Sequence, residues 1–199
     1  MEGTEICEWL NNQGITACLL KYRVPRRANR LKHEAPLEDL QQAIRYIRIH
    51  ANNLHIKSNQ IGVIGFSAGA HLAAMASNCF TTKSDSAIEA KEPINCRPDF
   101  CMLIYPAYLD GTNFQVAKDI HVSSETPPTF LIQAKDDENY INSSLFYYYA
   151  LKANKVPAEL HLYSSGGHGY GIRNTAHPVN EWPYRAITWL SNLGLLNKL

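Results

Sequence analysis

The pentapeptide Gly65-Phe66-Ser67-Ala68-Gly69 constrains the fold of this chain more than any other stretch. It is a G-x-S-x-G pattern, and its flanks decide what it means. Before it, Ile61-Gly62-Val63-Ile64-Gly65 is apolar without alternation, as expected of a strand buried on both faces of a parallel sheet. After it, the small residues of Ala68 to Asn78 read as a helix. A strand that turns into a helix this sharply forces strained dihedrals on the serine, and small neighbours let the two elements approach closely. By composition alone the three fixed residues arise by chance in about 0.07 of chains this long, so the strand and the helix carry the inference. The pattern predicts a nucleophile elbow with Ser67 at its tip and the N–H of Ala68 beside it as an oxyanion donor.

The rest of the chain repeats the strand-then-helix theme. Ile6, Trp9 and Leu10 recur at helical spacing behind Thr4, with Gly14 as a stop. Ala17 to Tyr22 (ACLLKY) reads as a strand, and Arg23 to Ala35 as a basic loop bearing a proline. Pro36 opens a helix whose apolar face is Leu37, Leu40, Ile44 and Ile47, ending near His50. Phe100 to Tyr105, Thr129 to Ala134 and Ala158 to Tyr163 are further strands. A helix carrying Leu145, Phe146, Tyr149 and Ala153 precedes the last of them, and a terminal helix presents Tyr184, Ile187 and Leu190 before Gly194. Five strands alternating with helices predict an α/β fold: three α/β/α layers around a mostly parallel sheet, with residues 1–199 as a single domain. In such a sheet the loops leaving the strand ends share one rim, and ligands bind there. Those loops are 23–35, 66–69, 106–128, 135–142 and 164–180.

A serine hydroxyl is a weak nucleophile until a base takes its proton, and that base needs an orienting partner. Of eight histidines, His168 sits in Gly166-Gly167-His168-Gly169-Tyr170-Gly171 on the rim loop after the last strand. His121 and His177 also lie on rim loops but lack that setting, and His161 belongs to a strand body. Lys135-Asp136-Asp137-Glu138 places carboxylates on the preceding rim loop, with Asp137 the expected acid and Asp136 its rival. The order Ser, Asp, His differs from that of chymotrypsin-like and subtilisin-like enzymes. Arg26, Arg27, Arg30 and Lys32 read as a solvated basic loop. Tyr108 is the aromatic residue best placed to line a pocket, whereas the Phe146 to Tyr149 group reads as core.

Composition removes other classes of function. Nineteen Lys plus Arg against eighteen Asp plus Glu leave a net charge of +1, which is no nucleic-acid footprint. Five cysteines, with no C-x-x-C pair and none beside histidines at ligand spacing, predict free thiols of a reducing compartment and no metal. No apolar run approaches the ~20 residues of a membrane span. No signal peptide opens the chain, so a secretion signal is expected only upstream of Met1.

From Glu2 onward the chain resembles the prokaryotic acetyl-esterase and feruloyl-esterase-like (BD-FAE-like) α/β-hydrolases associated with xylan degradation. The resemblance is carried by EGTEICEWLNNQGITACLLKYRVP, PLEDLQQAIRYIR, GVIGFSAGAHLAA, DDENY, SSGGHGYGIR and EWPYRAITWL. It implies Ser67 as nucleophile, His168 as base, Asp137 as acid and no metal or organic cofactor. The implied substrates are short acyl esters, small-molecule or carbohydrate, extending to acetyl groups on plant polysaccharide. Members of this family carry further strands and a Gly-Gly-Gly loop ahead of the helix that opens here at Glu2. The resemblance therefore implies a fold short of its N-terminal strands, with a gap between Ala17 to Tyr22 and Ile61 to Phe66. It also implies one oxyanion donor fewer, and such a loss lowers turnover by about 10² to 10³. Two other expectations stand beside the esterase: an impaired or non-catalytic binding protein on the same fold, and a peptidase of the prolyl-oligopeptidase type.

Overall fold

Strands form where short apolar runs can be buried on both faces. The computed structural model describes residues 2–26, 28–80 and 94–196. Within it β1 (Gly62–Phe66), β2 (Phe100–Ile104), β3 (Thr129–Ala134) and β4 (Ala158–Tyr163) lie in that order. All three pairings are parallel, with Ile64 opposite Met102, Met102 opposite Phe130, and Ile132 opposite His161. Alternate residues of each strand feed opposite faces. Phe66, Met102, Ile104, Phe130 and Ile132 enter one apolar cluster, and Val63, Cys101, Leu103 and Leu131 the other. β3 is buried at all six positions, as a strand flanked by neighbours and covered on both sides must be.

Helices close both faces. Against the first pack α1 (Thr4–Asn12), through Ile6 and Leu10, and the last helix of the chain (Trp182–Asn192), through Trp182, Ala186, Trp189 and Leu190. Against the second pack α2 (Glu34–Ile49) through Ile44, α3 (Ala68–Asn78) through Ala70, Ala73 and Ala74, and α4 (Ile141–Ala153) through Tyr147 and Leu151. The last helix is α5, and the result is the expected three-layer α/β/α architecture. No helix among the described residues is long and apolar enough to cross a membrane.

Three expectations need correction. Ala17 to Tyr22 is not a strand: among the described residues it pairs with no neighbour, and the sheet has four strands, not five. An apolar run becomes a strand only when another strand satisfies its N–H and C=O groups. Here Ile15 and Ala17 lean on the core while Leu19 stays exposed. Tyr184 is exposed as well, whereas Ile187 and Leu190, expected on the same face, are buried together with Trp182, Ala186 and Trp189. In α4 the core residue is Tyr147, and Tyr149 faces outward. The five cysteines are free thiols. Arg27 lies outside the described residues.

Candidate active site

Ser67 stands between β1 and α3 with φ 52° and ψ −119°, a left-handed conformation that costs a non-glycine residue about 1–3 kcal/mol. The surrounding structure holds it there. Its N–H donates to the Ile104 carbonyl (3.1 Å), and its own carbonyl accepts from the N–H of Ala70 (3.0 Å) and Ala107 (3.3 Å). The turn requires a glycine at 65, since a Cβ there would fall 2.2 Å from the Gly69 carbonyl oxygen. Gly69 is different: a Cβ on it would meet nothing within 4 Å, so close approach explains only the first glycine of the motif. Ala68 opens α3 and is exposed, and the N–H groups of a first helical turn have no partner within their helix.

His168 reaches Ser67 across the rim. Its Nε2 lies 2.7 Å from Ser67 Oγ, and its Nδ1 lies 2.6 Å from Asp137 Oδ2. A carboxylate can only accept, so Nδ1 carries the proton and Nε2 turns a lone pair toward the hydroxyl. Asp137 is buried, and the same Oδ2 accepts from Gln133 Nε2 at 2.7 Å. Gln133 is itself held by Ser144, whose hydroxyl donates to Oε1 at 2.9 Å. Sequence reasoning missed Gln133. Its signal was a polar side chain inside the apolar run TFLIQA.

Asp136, the rival acid, has another role. Its Oδ1 accepts from the Gly167 N–H (2.8 Å) and its Oδ2 from the Gly166 N–H (3.2 Å), so it clamps the backbone just before His168. These bonds, Gly167's first, hold its carboxyl below the usual carboxylate range. Gly166 takes φ 154° against the Val179 side chain, where a Cβ would lie 2.4 Å from a methyl. The ring of His168 packs against Tyr105 (centroids 5.0 Å apart) and Tyr140 (4.9 Å). Of the other histidines, His161 bonds Glu159 on β4, and His177 Nδ1 lies 3.2 Å from Ser165 Oγ.

Two links join α1 and the residues just before it to the histidine loop. The buried Tyr105 donates its hydroxyl to Glu2 Oε1 (2.6 Å) and accepts from the Gly171 N–H (3.0 Å). Burial first, and the Glu2 bond second, push that phenol above its ordinary value. Arg173 grips both carboxylate oxygens of Glu5, which lowers the Glu5 carboxyl to about 2. The expected basic loop is not simply solvated. Arg23 pairs with Asp39 and Glu38, and Arg30 with Glu34 and Glu38, so the acids of α2 neutralise those two cations. Tyr108 is half-exposed beside the triad, its hydroxyl 3.3 Å from that of Tyr140.

The family follows from these elements together with their relatives. A family model described as BD-FAE matches residues 2–99. The crystal structure of an acetyl ester-xyloside bifunctional hydrolase from Caldicellulosiruptor lactoaceticus is 35% identical, with a TM-score of 0.83, over 97% of this chain and 77% of that one. The chain belongs to the BD-FAE-like α/β-hydrolases. This α/β-hydrolase is also 29% identical to an acetylxylan esterase of Xylanibacter ruminicola over 86% of its own length. It is 28% identical to endo-1,4-beta-xylanase B of Butyrivibrio fibrisolvens over 82% of its length. It spans only 38% and 29% of those two relatives.

Proposed function

We propose that this chain hydrolyses short acyl esters, acetyl esters of plant polysaccharide foremost, with Ser67, His168 and Asp137 as its catalytic triad. The observation that carries the reading is the continuous relay of 2.7 Å and 2.6 Å contacts from Ser67 Oγ through His168 to a buried carboxylate. Three residues from three separate rim loops meet in the order that the chemistry needs. The kinship to an acetylxylan esterase supports the choice of acyl group.

The geometry supports the following steps. His168 Nε2 takes the hydroxyl proton as Ser67 Oγ bonds to the ester carbonyl carbon. Negative charge moves to the carbonyl oxygen, where the Ala68 N–H and the positive end of α3 stabilise it. The tetrahedral adduct collapses as the imidazolium gives its proton to the departing alkoxide, leaving an acetyl-serine. Water, deprotonated by the same imidazole, then attacks that carbonyl, and the second adduct collapses as the imidazolium returns the proton to Ser67 Oγ, releasing acetic acid, which ionises to acetate. Asp137 keeps the imidazole in the required tautomer and stabilises its charged form throughout. Tyr108 and Tyr140 form an aromatic rim on which the apolar face of a pyranose ring can lie.

The test is acetate release from acetylated xylo-oligosaccharides and from nitrophenyl acetate, comparing the wild type with Ser67→Ala. Release by the wild type, abolished in the folded variant, is the expected result. Equal rates for the two proteins, or faster cleavage of a prolyl amide than of nitrophenyl acetate, would overturn the reading.

A further inference from the structure

A second group of chemistry-bearing side chains stands on the same rim and has no part in the relay. His33 precedes α2, His71 lies one turn into α3 beyond Ser67, and Asp119 belongs to the connection from β2 to β3. One ligand-capable atom from each lies within 4.8 Å of the others, and all three residues are half-buried. His33 Nδ1 and Asp119 Oδ2 are 3.7 Å apart, too far for a hydrogen bond. Two ligands bound at about 2.1 Å in tetrahedral arrangement stand about 3.4 Å apart, so this pair is already near metal-ligand spacing. The two imidazole rings lie side by side, tilted at 53° with centroids 5.7 Å apart.

The backbone under each donor is fixed. The His33 carbonyl accepts from the Leu37 N–H (2.9 Å), and the His71 N–H donates to the Ser67 carbonyl (3.2 Å). Asp119 precedes Ile120, which is buried in the core and whose N–H donates to the Ala117 carbonyl (3.0 Å). The donors are thus three anchored residues from distant parts of the chain, and the surrounding loops need not fold anew to bring them together. Such preorganisation favours binding.

We propose that His33, His71 and Asp119 bind one divalent transition-metal ion, zinc above all, with the remaining coordination left to water or substrate. Two imidazole nitrogens and one carboxylate oxygen suit zinc, whereas magnesium and calcium favour oxygen-only sets. The ion ties the start of α2 and the β2–β3 connection to the elbow helix. It also lies beside the cleft, since Tyr108 packs against His71 (6.4 Å), Tyr140 against Tyr108 (5.3 Å), and His168 against Tyr140. The site is independent of the esterase reading, because neither Ser67 Oγ nor the His168 ring takes part in it.

The test uses the full chain stripped with EDTA and titrated with Zn²⁺ by calorimetry, then with Co²⁺ by visible absorption. One equivalent of Zn²⁺ is expected. Bound Co²⁺ should show ligand-field bands without the near-ultraviolet charge-transfer band of a thiolate, which separates this site from exposed Cys18. His33→Ala, His71→Ala and Asp119→Asn should each weaken Zn²⁺ binding about 100-fold, the upper range for losing even a residue that supports a ligand. His55→Asn, at an exposed position beyond the end of α2 opposite His33, should leave it unchanged. Circular dichroism confirms that each variant is folded. No stoichiometric uptake by the wild type, or uptake unaltered in all three ligand variants, would overturn the proposal. So would uptake abolished by Cys18→Ser.

Discussion

Asp136 and Asp137 are adjacent carboxylates after β3 that face different partners. Asp137 is buried against the His168 ring and Gln133, while Asp136 is exposed and bonds backbone amides of the histidine loop. Their sequence context hardly separates them, since both lie in one acidic turn. Burial and the direction of the neighbouring loop do. Asp137→Asn should keep the fold but offer the ring an amide that favours the wrong tautomer. Turnover of nitrophenyl acetate should then fall by about 10⁴, with little change in KM. Asp136→Asn should lower turnover far less. At this scale Ser67 and His168 were legible from their flanking residues. The cluster of His33, His71 and Asp119 was not, because no local spacing records that positions 33 and 119, 86 apart in sequence, come together.

The elements explain why the motif has the shape it has. Gly65→Ala would push a methyl onto the backbone of Gly69, and neither strand nor helix can retreat without losing its place in the sheet or core. Chemical denaturation should show a loss of about 3 kcal/mol, the upper part of the range for overpacking. Gly69→Ala, with open space around its Cβ, should cost much less. The histidine loop has a pH signature of its own. Asp136 sits below its ordinary value because the folded loop bonds its ionised form. Its stabilising effect is therefore full above the unfolded value of about 3.9 and is lost as pH falls through the lower folded value. Thermal melts should place Asp136→Asn below the wild type at pH 7, and the gap should close as pH drops below about 4. The strands β1 to β4 and helix α3 were readable because buried parallel strands are short, continuous apolar runs bounded by turn residues. Ala17 to Tyr22 shows the limit of that rule, because apolar content does not supply a hydrogen-bonding partner.

Across the whole molecule, protection should fall from the middle of the sheet outward. β3 has neighbours on both sides and is buried at every position, whereas residues 15–24 carry no ladder among the described residues. Amide hydrogen exchange should be slowest in Phe130 to Gln133 and fast from Leu19 to Arg23, with β1 between them. Uniform protection over both segments would show that residues 15–24 have a strand partner in solution. The layers also account for the position of the triad. Parallel strands send all their carboxyl ends to one rim, so loops that are 30 or more residues apart in the chain deliver serine, acid and histidine to one place.

The relay itself is the central claim, and active-site labelling tests it most directly. A fluorophosphonate should add once to the full chain, on the peptide that contains Ser67, and at a rate that collapses in His168→Ala. Ser67→Ala should take up none. A folded chain that stays unlabelled, or one labelled equally well without its residue 67 hydroxyl, would contradict the account.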